Sequence, residues 1–459
     1  MKTLPEPLRK KLAGFISRTA FEDFSTQVIR QAKLCILDLI GVSIAGSRQK
    51  TSSIVRELFS AAGGIEEATI WSSDCKVPIL TAVMVNAVQG HAIDMDDGHR
   101  FANGHPGVDT IPAAVAIAER ENLTGKDLIE AVVTGYDIFI RLGSVINPDL
   151  LLRGFHTTAT LGTFASAAVA AKLLGLNGLQ TENALALSGL QSAGLLEALS
   201  SGEMGKSFQV GKAVQSGVLA ALLAQRGADG PEHIFEGEKG FFRAFAGKEC
   251  NSQAILNDIG EDFQITSVYC KKHAACRHIH SPLDATAEIV SANDLAPGEI
   301  VSIEIETYSI AESLTGHLVT EGSELAAKFS MPVAIAIFLV FGQSDSAAFN
   351  RKYISDPLVQ SLAKKITVKV NPDRDKIYPQ KRSARVTVCT QTQSYTHEVN
   401  YSRGEPENPL SEEEFMAKYE KNARILYAED QTRRIRDLVL NMENIHVREM
   451  TQMLKAPAV

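Results

Sequence analysis

Near residue 263 the hydrophobic period of the chain changes, and with it the kind of layer each part can build. From about Ser25 to Gly247 apolar residues recur every third or fourth position, as in VIRQAKLCILDLIGVSIAG, DLIEAVVTGYDIFIRLG, TLGTFASAAVAAKLLGL and KAVQSGVLAALLAQRG, each closing near a glycine. A turn of 3.6 residues gathers such positions on one side, and glycine suits the left-handed residue that ends a helix. Abundant Ala, Gly and Ser let helix axes approach closely, and segments apolar on most sides belong inside a bundle. Beyond Phe263 the period falls to two in VSIEIETYSI (301–310), KKITVKVN (364–371) and ARVTVCTQ (384–391), which read as strands of one sheet. Between them SELAAKFSMPVAIAIFLVFG (323–342) reads as a buried helix, so this part is α+β and not all β. After the turn segment SRGEPENPL (402–410), Ser411 and Glu414 stand at capping-box spacing and open a charged amphipathic helix that returns to the helical part. The expected fold is mainly α with an α+β second domain. A large all-helical domain takes residues 1–262 and 402–459, and a smaller α+β lid domain takes 263–401.

Composition removes several classes of function. A net charge of −8 with singly scattered Lys and Arg offers no basic stripe for a phosphate backbone, so no nucleic-acid partner is expected. The six cysteines, at 35, 75, 250, 270, 276 and 389, are too irregular for a disulfide framework, and MKTLPEPLRKKLAGF lacks the apolar run of a signal peptide. The longest uncharged stretches, such as Phe329 to Ser344, fall short of the ~20 residues that a membrane span needs. The expectation is a cytoplasmic protein with no membrane partner.

Chemistry is concentrated in four segments. HAIDMDDGHRFANGHPG (91–107) carries three aspartates and three histidines in an otherwise apolar neighbourhood. In GFHTTATLGT (154–163), His156 and Thr157 precede an Ala-rich helix whose N-terminus suits a carboxylate. GEMGKSFQVGKAVQSG (202–217) places Lys206 in a glycine-bounded loop before another helix. YCKKHAACRHIHSPLDA (269–285), at the junction of the two regimes, adds Lys271, Lys272, Arg277 and three histidines. Each has an ordinary reading as a surface turn, a helix cap or a solvated lysine. Cys270, His273, Cys276, His278 and His280 are potential soft metal ligands. No second Cys pair accompanies them and three cations interleave, so no metal is expected.

Taken in order, LDLIGVSIAG (37–46), HAIDMDDGH (91–99) with its trailing HPG, GFHTTATLG (154–162), KSFQVGKAVQSG (206–217), CRHIHSPLDA (276–285) after Lys271, ELAAKFSMP (324–332) and RGEPENPLSEEEF (403–415) resemble the MmgE/PrpD family over nearly the whole chain. The resemblance implies a homodimeric enzyme without metal or organic cofactor. The family's activities include 2-methylcitrate dehydratase, cis-aconitate decarboxylase and iminodisuccinate epimerase. Each works on a small acid with two or three carboxylates, at a carbon next to one of them. By motif match the catalytic positions fall on Asp94, His105, His156, Lys206, Lys271 and His280. Lys206, Lys271 and His156 are expected to hold carboxylates, His105 to be the acid/base and Asp94 to orient a neighbouring base. Arg277, Cys276, Asp97 and Thr157 are expected substrate contacts, with Arg277 as a bidentate clamp and Cys276 as a packed thiol in preference to a proton donor. Bare carboxylates would repel an anionic substrate, so at least one of Asp94, Asp96 and Asp97 must be paired with a cation or capped by backbone N–H groups.

Three departures from cis-aconitate decarboxylases stand out. Cys276 replaces a second histidine five residues after the site lysine, Val333 stands near a tyrosine position, and Gly98 replaces a threonine after the paired aspartates. The resulting expectation is a lyase dehydrating a 2-methylcitrate-like hydroxy polycarboxylate. An epimerase or isomerase, a decarboxylase on a related acid, and an inactive carboxylate-binding protein are the alternatives.

Overall fold

In a computed structural model that describes residues 6–200, 204–319 and 323–457, the chain is mainly helical, with a small mixed sheet in its C-terminal part. The helix Thr157–Leu173 lies at the centre, with every residue but Lys172 buried. It packs against Gly205–Gln225, Gly125–Ile146 and Pro106–Glu121. Its run of Ala, Gly, Ser and Thr is what lets three neighbours approach it at once. A short hairpin of β1 (Ala68–Thr69) and β2 (Lys76–Val77) interrupts the helical part.

Close approach also fixes the helix that leads into the acid-rich segment. Gly46, at the end of Thr26–Gly46, lies so near the Ile79–His91 helix that a Cβ there would collide with the Gln89 carbonyl oxygen. Gly46→Ala is therefore expected to cost about 1–3 kcal/mol in overpacking, read by chemical denaturation. A variant as stable as the parent would mean that the two helices can part without loss.

The second region holds β3 (Ser302–Thr307), β4 (Ile366–Val370), β5 (Ala384–Cys389) and β6 (Ser394–Val399) in the order β4-β3-β5-β6. β3 runs parallel to β4, with Ile303 opposite Ile366, and antiparallel to β5, with Ile305 opposite Val386. Its alternation places Ile303, Ile305 and Thr307 on the buried face. The helix His280–Asn293 packs on β5 and β6.

Four local readings are revised. The strand β6, SYTHEV, escapes a hydrophobic pattern search because it is exposed or half-buried throughout. The 323–342 stretch is two helices, Glu324–Lys328 and Met331–Phe341. Ser330 caps the second by accepting from Val333 N–H, and Pro332 sits in its first turn. The chain ends in three helices, not one: Glu412–Ala423, opened by the Ser411/Glu414 capping box, then Glu429–Leu440 and Val447–Met453. Lys206 lies in the first turn of Gly205–Gln225, not in a loop, while Gly202 and Glu203 of its segment lie outside the described residues.

Apolar packing joins the two regions. Val42, Ala45, Ile93 and Met95 belong to the same buried cluster as Ile279, Leu283, Ile303, Ile305 and Met331. The Asp94 loop thus lies on the seam between helices and sheet, pinned by Lys328, whose Nζ donates to the Ile93 carbonyl at 3.0 Å. No helix among the described residues is long and apolar enough to cross a membrane.

Candidate active site

Residues 92–105 connect the Ile79–His91 helix to Pro106–Glu121. The connection turns at Asp94, whose φ of 55° is left-handed, a conformation that Asp tolerates better than most side chains. This turn presents the carboxylate to two lysines. Lys206 pairs with Oδ1, and Lys271 donates to Oδ2 at 3.1 Å and to the Asp94 carbonyl at 2.8 Å. All three residues are buried. Burial pushes the Asp94 carboxyl up, but Lys206 and Lys271 outweigh it and hold the group well below the usual carboxylate range. The pairing that an aspartate beside an anion requires is thus present. One carboxylate balances two ammoniums, which leaves a net positive centre.

His105 stands just before the Pro106–Glu121 helix and lines the same cavity as Asp94, Lys206 and Lys271. Its Nδ1 lies 2.6 Å from the Asp97 carbonyl oxygen and 3.3 Å from Asp96 Oδ2. A carbonyl only accepts, so Nδ1 carries the proton and Nε2 is the bare nitrogen. Burial lowers the His105 pKa well below its ordinary value; Asp96 opposes the shift, while Lys271 and Lys206 reinforce it. Behind it, His91 Nδ1 meets Asp96 Oδ2 at 2.8 Å, so one carboxylate oxygen serves two imidazoles.

His156 stands just before the Thr157–Leu173 helix. Its Nδ1 lies 3.1 Å from Gln209 Oε1, and the Gln209 amide nitrogen donates to the Leu195 carbonyl. Nδ1 is therefore again the protonated nitrogen. Burial and then Lys206 lower the His156 pKa well below the ordinary value. A neutral ring with a bare Nε2 repels a carboxylate, so the expected role of His156 as a carboxylate contact holds only for its protonated form. Thr157 is buried beside it on the cavity wall.

Other expected site residues are placed differently. Asp97 is absent from the cavity wall; its carboxylate accepts from Tyr136 Oη at 2.6 Å and from Gly107 N–H at 3.0 Å. Burial pushes it up to about 7 against those bonds, and it braces the loop in place of meeting a substrate. His280 is fully buried and also absent from the wall. Its Nε2 donates to the Ala275 carbonyl at 3.3 Å and its Nδ1 accepts from Arg277 at 2.9 Å, so neither nitrogen is free for chemistry. Arg277 lines the cavity, but its fork is committed: Nε and Nη2 both bond Glu405 Oε1, at 3.0 and 2.8 Å, and Nη1 bonds His280 and the Arg403 carbonyl. It cannot clamp a carboxylate without leaving Glu405. Cys276 lines the cavity, and burial pushes its thiol up, which suits a packed thiol and not a proton donor.

Pattern reading missed Tyr269, Phe329 and Arg382 on the wall, and weighed His278, which also lines it, only as a metal ligand. His278 bonds Tyr308 Oη at 2.5 Å, and Lys206 Nζ lies 5.3 Å from the Phe329 ring centroid. Tyr269 also accounts for one departure: its backbone pairs with Gly98 in both directions, and a Cβ on Gly98 would collide with the Tyr269 phenol. A threonine at 98 would require the tyrosine to move.

The soft-ligand cluster of 270–280 does not converge among the described residues. Lys418 donates to Cys270 Sγ, and His273 bridges Ser344 and Asp284. The group whose ligand atoms do approach one another is His91, Asp96 and His105, but each imidazole already uses Nδ1 to hold Asp96 or the Asp97 carbonyl.

The helical bundle joined to a small mixed sheet, with lysines, imidazoles and one aspartate at the seam, is covered by two matching family models. The MmgE/PrpD N-terminal domain matches residues 10–253 and the MmgE/PrpD C-terminal domain matches 273–444. The chain belongs to the MmgE/PrpD family. Among curated proteins it is similar to cis-aconitate decarboxylase of Aspergillus terreus, 26% identical over 97% of this chain and 96% of that one. It is likewise similar to the Homo sapiens cis-aconitate decarboxylase, 24% identical over 94% and 91%, and to that of Mus musculus, 26% identical over 98% and 94%.

Proposed function

We propose that the chain is a cofactor-independent lyase for a small di- or tricarboxylate, dehydrating a 2-methylcitrate-like hydroxy acid by removing a proton next to a carboxylate. The observation that carries this reading is the shared cavity of Asp94, Lys206, Lys271 and the two neutral imidazoles of His105 and His156. Proton loss beside a carboxylate builds further negative charge on an anion, and a buried net positive centre is what stabilises that charge. His105 Nε2 takes the proton from carbon. The C–H electron pair becomes the new C=C bond while the neighbouring C–O bond breaks. The departing hydroxyl takes a proton from a lysine ammonium and leaves as water.

Decarboxylation is the second reading, favoured by the cis-aconitate decarboxylases among the relatives. There the electron pair of a breaking C–C bond develops the same charge as carbon dioxide departs, and that pair then takes a proton from a lysine ammonium to form the new C–H bond.

Proton NMR in D2O with citrate, 2-methylcitrate, cis-aconitate and iminodisuccinate separates the outcomes. Dehydration is expected to give a new alkene signal from a hydroxy acid. Carbon dioxide loss from cis-aconitate would replace it with the decarboxylase reading, and inversion or deuterium exchange alone with the epimerase reading. No change in any acid would reject lyase activity on this panel.

A further inference from the structure

We infer that Arg382 anchors a second carboxylate of the substrate, at a positive centre separate from the Asp94 cluster; this rests on the polycarboxylate reading above. The cations around the cavity differ in what neutralises them. Lys206 and Lys271 share Asp94, and Arg277 is paired with Glu405. The second oxygen of Glu405 faces Arg100 at 3.4 Å. Arg382 lines the same cavity, is 7% exposed, and has no carboxylate within ion-pair distance among the described residues. Its Nη2 donates to two neutral acceptors, the Arg100 carbonyl at 2.9 Å and Asn103 Oδ1 at 2.7 Å. Its Nε is buried with no partner at all.

A buried guanidinium without a counter-charge is costly, and an unmade N–H bond adds to the cost. An anion bound in the cavity supplies the missing counter-charge. With both Nη2 hydrogens given to Arg100 and Asn103, Nη1 is the edge of the guanidinium left to meet a carboxylate, by a single charge-assisted bond.

Arg382 is held ready for that contact. Ser281 Oγ donates to its carbonyl at 2.5 Å, and β5 begins two residues later at Ala384. Asn103, which receives its Nη2, also accepts from Tyr378 Oη at 3.1 Å, and Tyr378 stacks on Tyr308 at 4.7 Å. Its guanidinium carbon lies 5.8 Å from the Tyr269 ring centroid. The helical region thus supplies Lys206, the junction Lys271 and the sheet region Arg382, so an acid with two carboxylates bridges the seam and a monocarboxylate does not.

The test uses tricarballylate, a saturated tricarboxylate with no hydroxyl or double bond to react, and butyrate as the monocarboxylate, in calorimetric titrations of the full chain. The parent is expected to bind tricarballylate at least ~30-fold more tightly than butyrate. Arg382→Gln is expected to weaken tricarballylate by ~30-fold, about 2 kcal/mol, while leaving butyrate unchanged. Arg382→Lys keeps the charge but loses the guanidinium N–H groups that hold it to Arg100 and Asn103, and is expected to fall between the two, at ~5-fold weaker. It carries the test alone if Arg382→Gln does not fold. If the parent prefers tricarballylate and both folded variants bind it as the parent does, Arg382 is not the anchor and the polycarboxylate reading stands. If the parent binds tricarballylate no better than butyrate, the polycarboxylate reading falls and the Arg382 anchor with it.

Discussion

Asp94→Ala is expected to destabilise the fold by about 3–5 kcal/mol at neutral pH, because it strands two ammoniums inside the protein. Lys206 is 6% exposed and Lys271 1% exposed, so water cannot replace the lost carboxylate as it would at the surface. The native carboxyl has a pKa below its ordinary 3.8. The contribution of Asp94 is therefore present above pH 3.8 and is lost only as the pH falls through the native value. Chemical denaturation of the parent, Asp94→Ala and the double variant Asp94→Ala/Lys271→Met at neutral pH checks the argument. Removing one stranded charge should recover part of the loss, so the two changes are non-additive. A loss under 1 kcal/mol for Asp94→Ala would mean that the lysines find water or another partner, and that the charge cluster does not hold the seam together.

This cluster also marks the limit of what the sequence makes legible. Helices are readable where a 3.6 period acts locally, as in Gly125–Ile146, or where a run of small residues marks a buried one, as in Thr157–Leu173. The same holds for β3, where Ile303 and Ile305 alternate with glutamates. β6 is not readable, since a strand without a buried face loses the alternation that identifies it. Among site residues, Asp94, His105, His156, Lys206 and Lys271 come together in one cavity, and each sits in a short motif. His280 belongs to an equally conspicuous motif but turns both nitrogens to structural partners, whereas His278, two residues away, reaches the wall. Nothing in HIH distinguishes them, because the choice is made by the short 3-10 turn Arg277–Ile279 leading into the following helix. Arg382 lies in KRSARVTV, where three basic residues look alike. Its importance comes from the carboxylate it lacks, and pairing across more than a hundred residues leaves no local trace.

Loss of the His105 imidazole is expected to have the largest effect on activity. His105→Ala should lower kcat by ~10²–10⁴ if the ring transfers the proton, with the fold intact by thermal melting. Its protonation state predicts a second, independent signature. Burial, together with Lys271 and Lys206, holds His105 below 6.5, so the ring stays neutral and able to accept a proton at pH 6.5. The acid limb of kcat/KM, which reports the free enzyme, should therefore lie below pH 6.5. Asp96 is the group that opposes the shift, through Oδ2 at 3.3 Å from Nδ1. Asp96→Asn should move the limb to still lower pH, a displacement that mere loosening of the loop would not produce. Turnover within tenfold of the parent in His105→Ala would remove this histidine from the chemistry. It would leave His156, a further neutral imidazole on the wall, as the next candidate base, because its Nε2 is bare for the same reason: an acceptor that only accepts holds the proton on Nδ1.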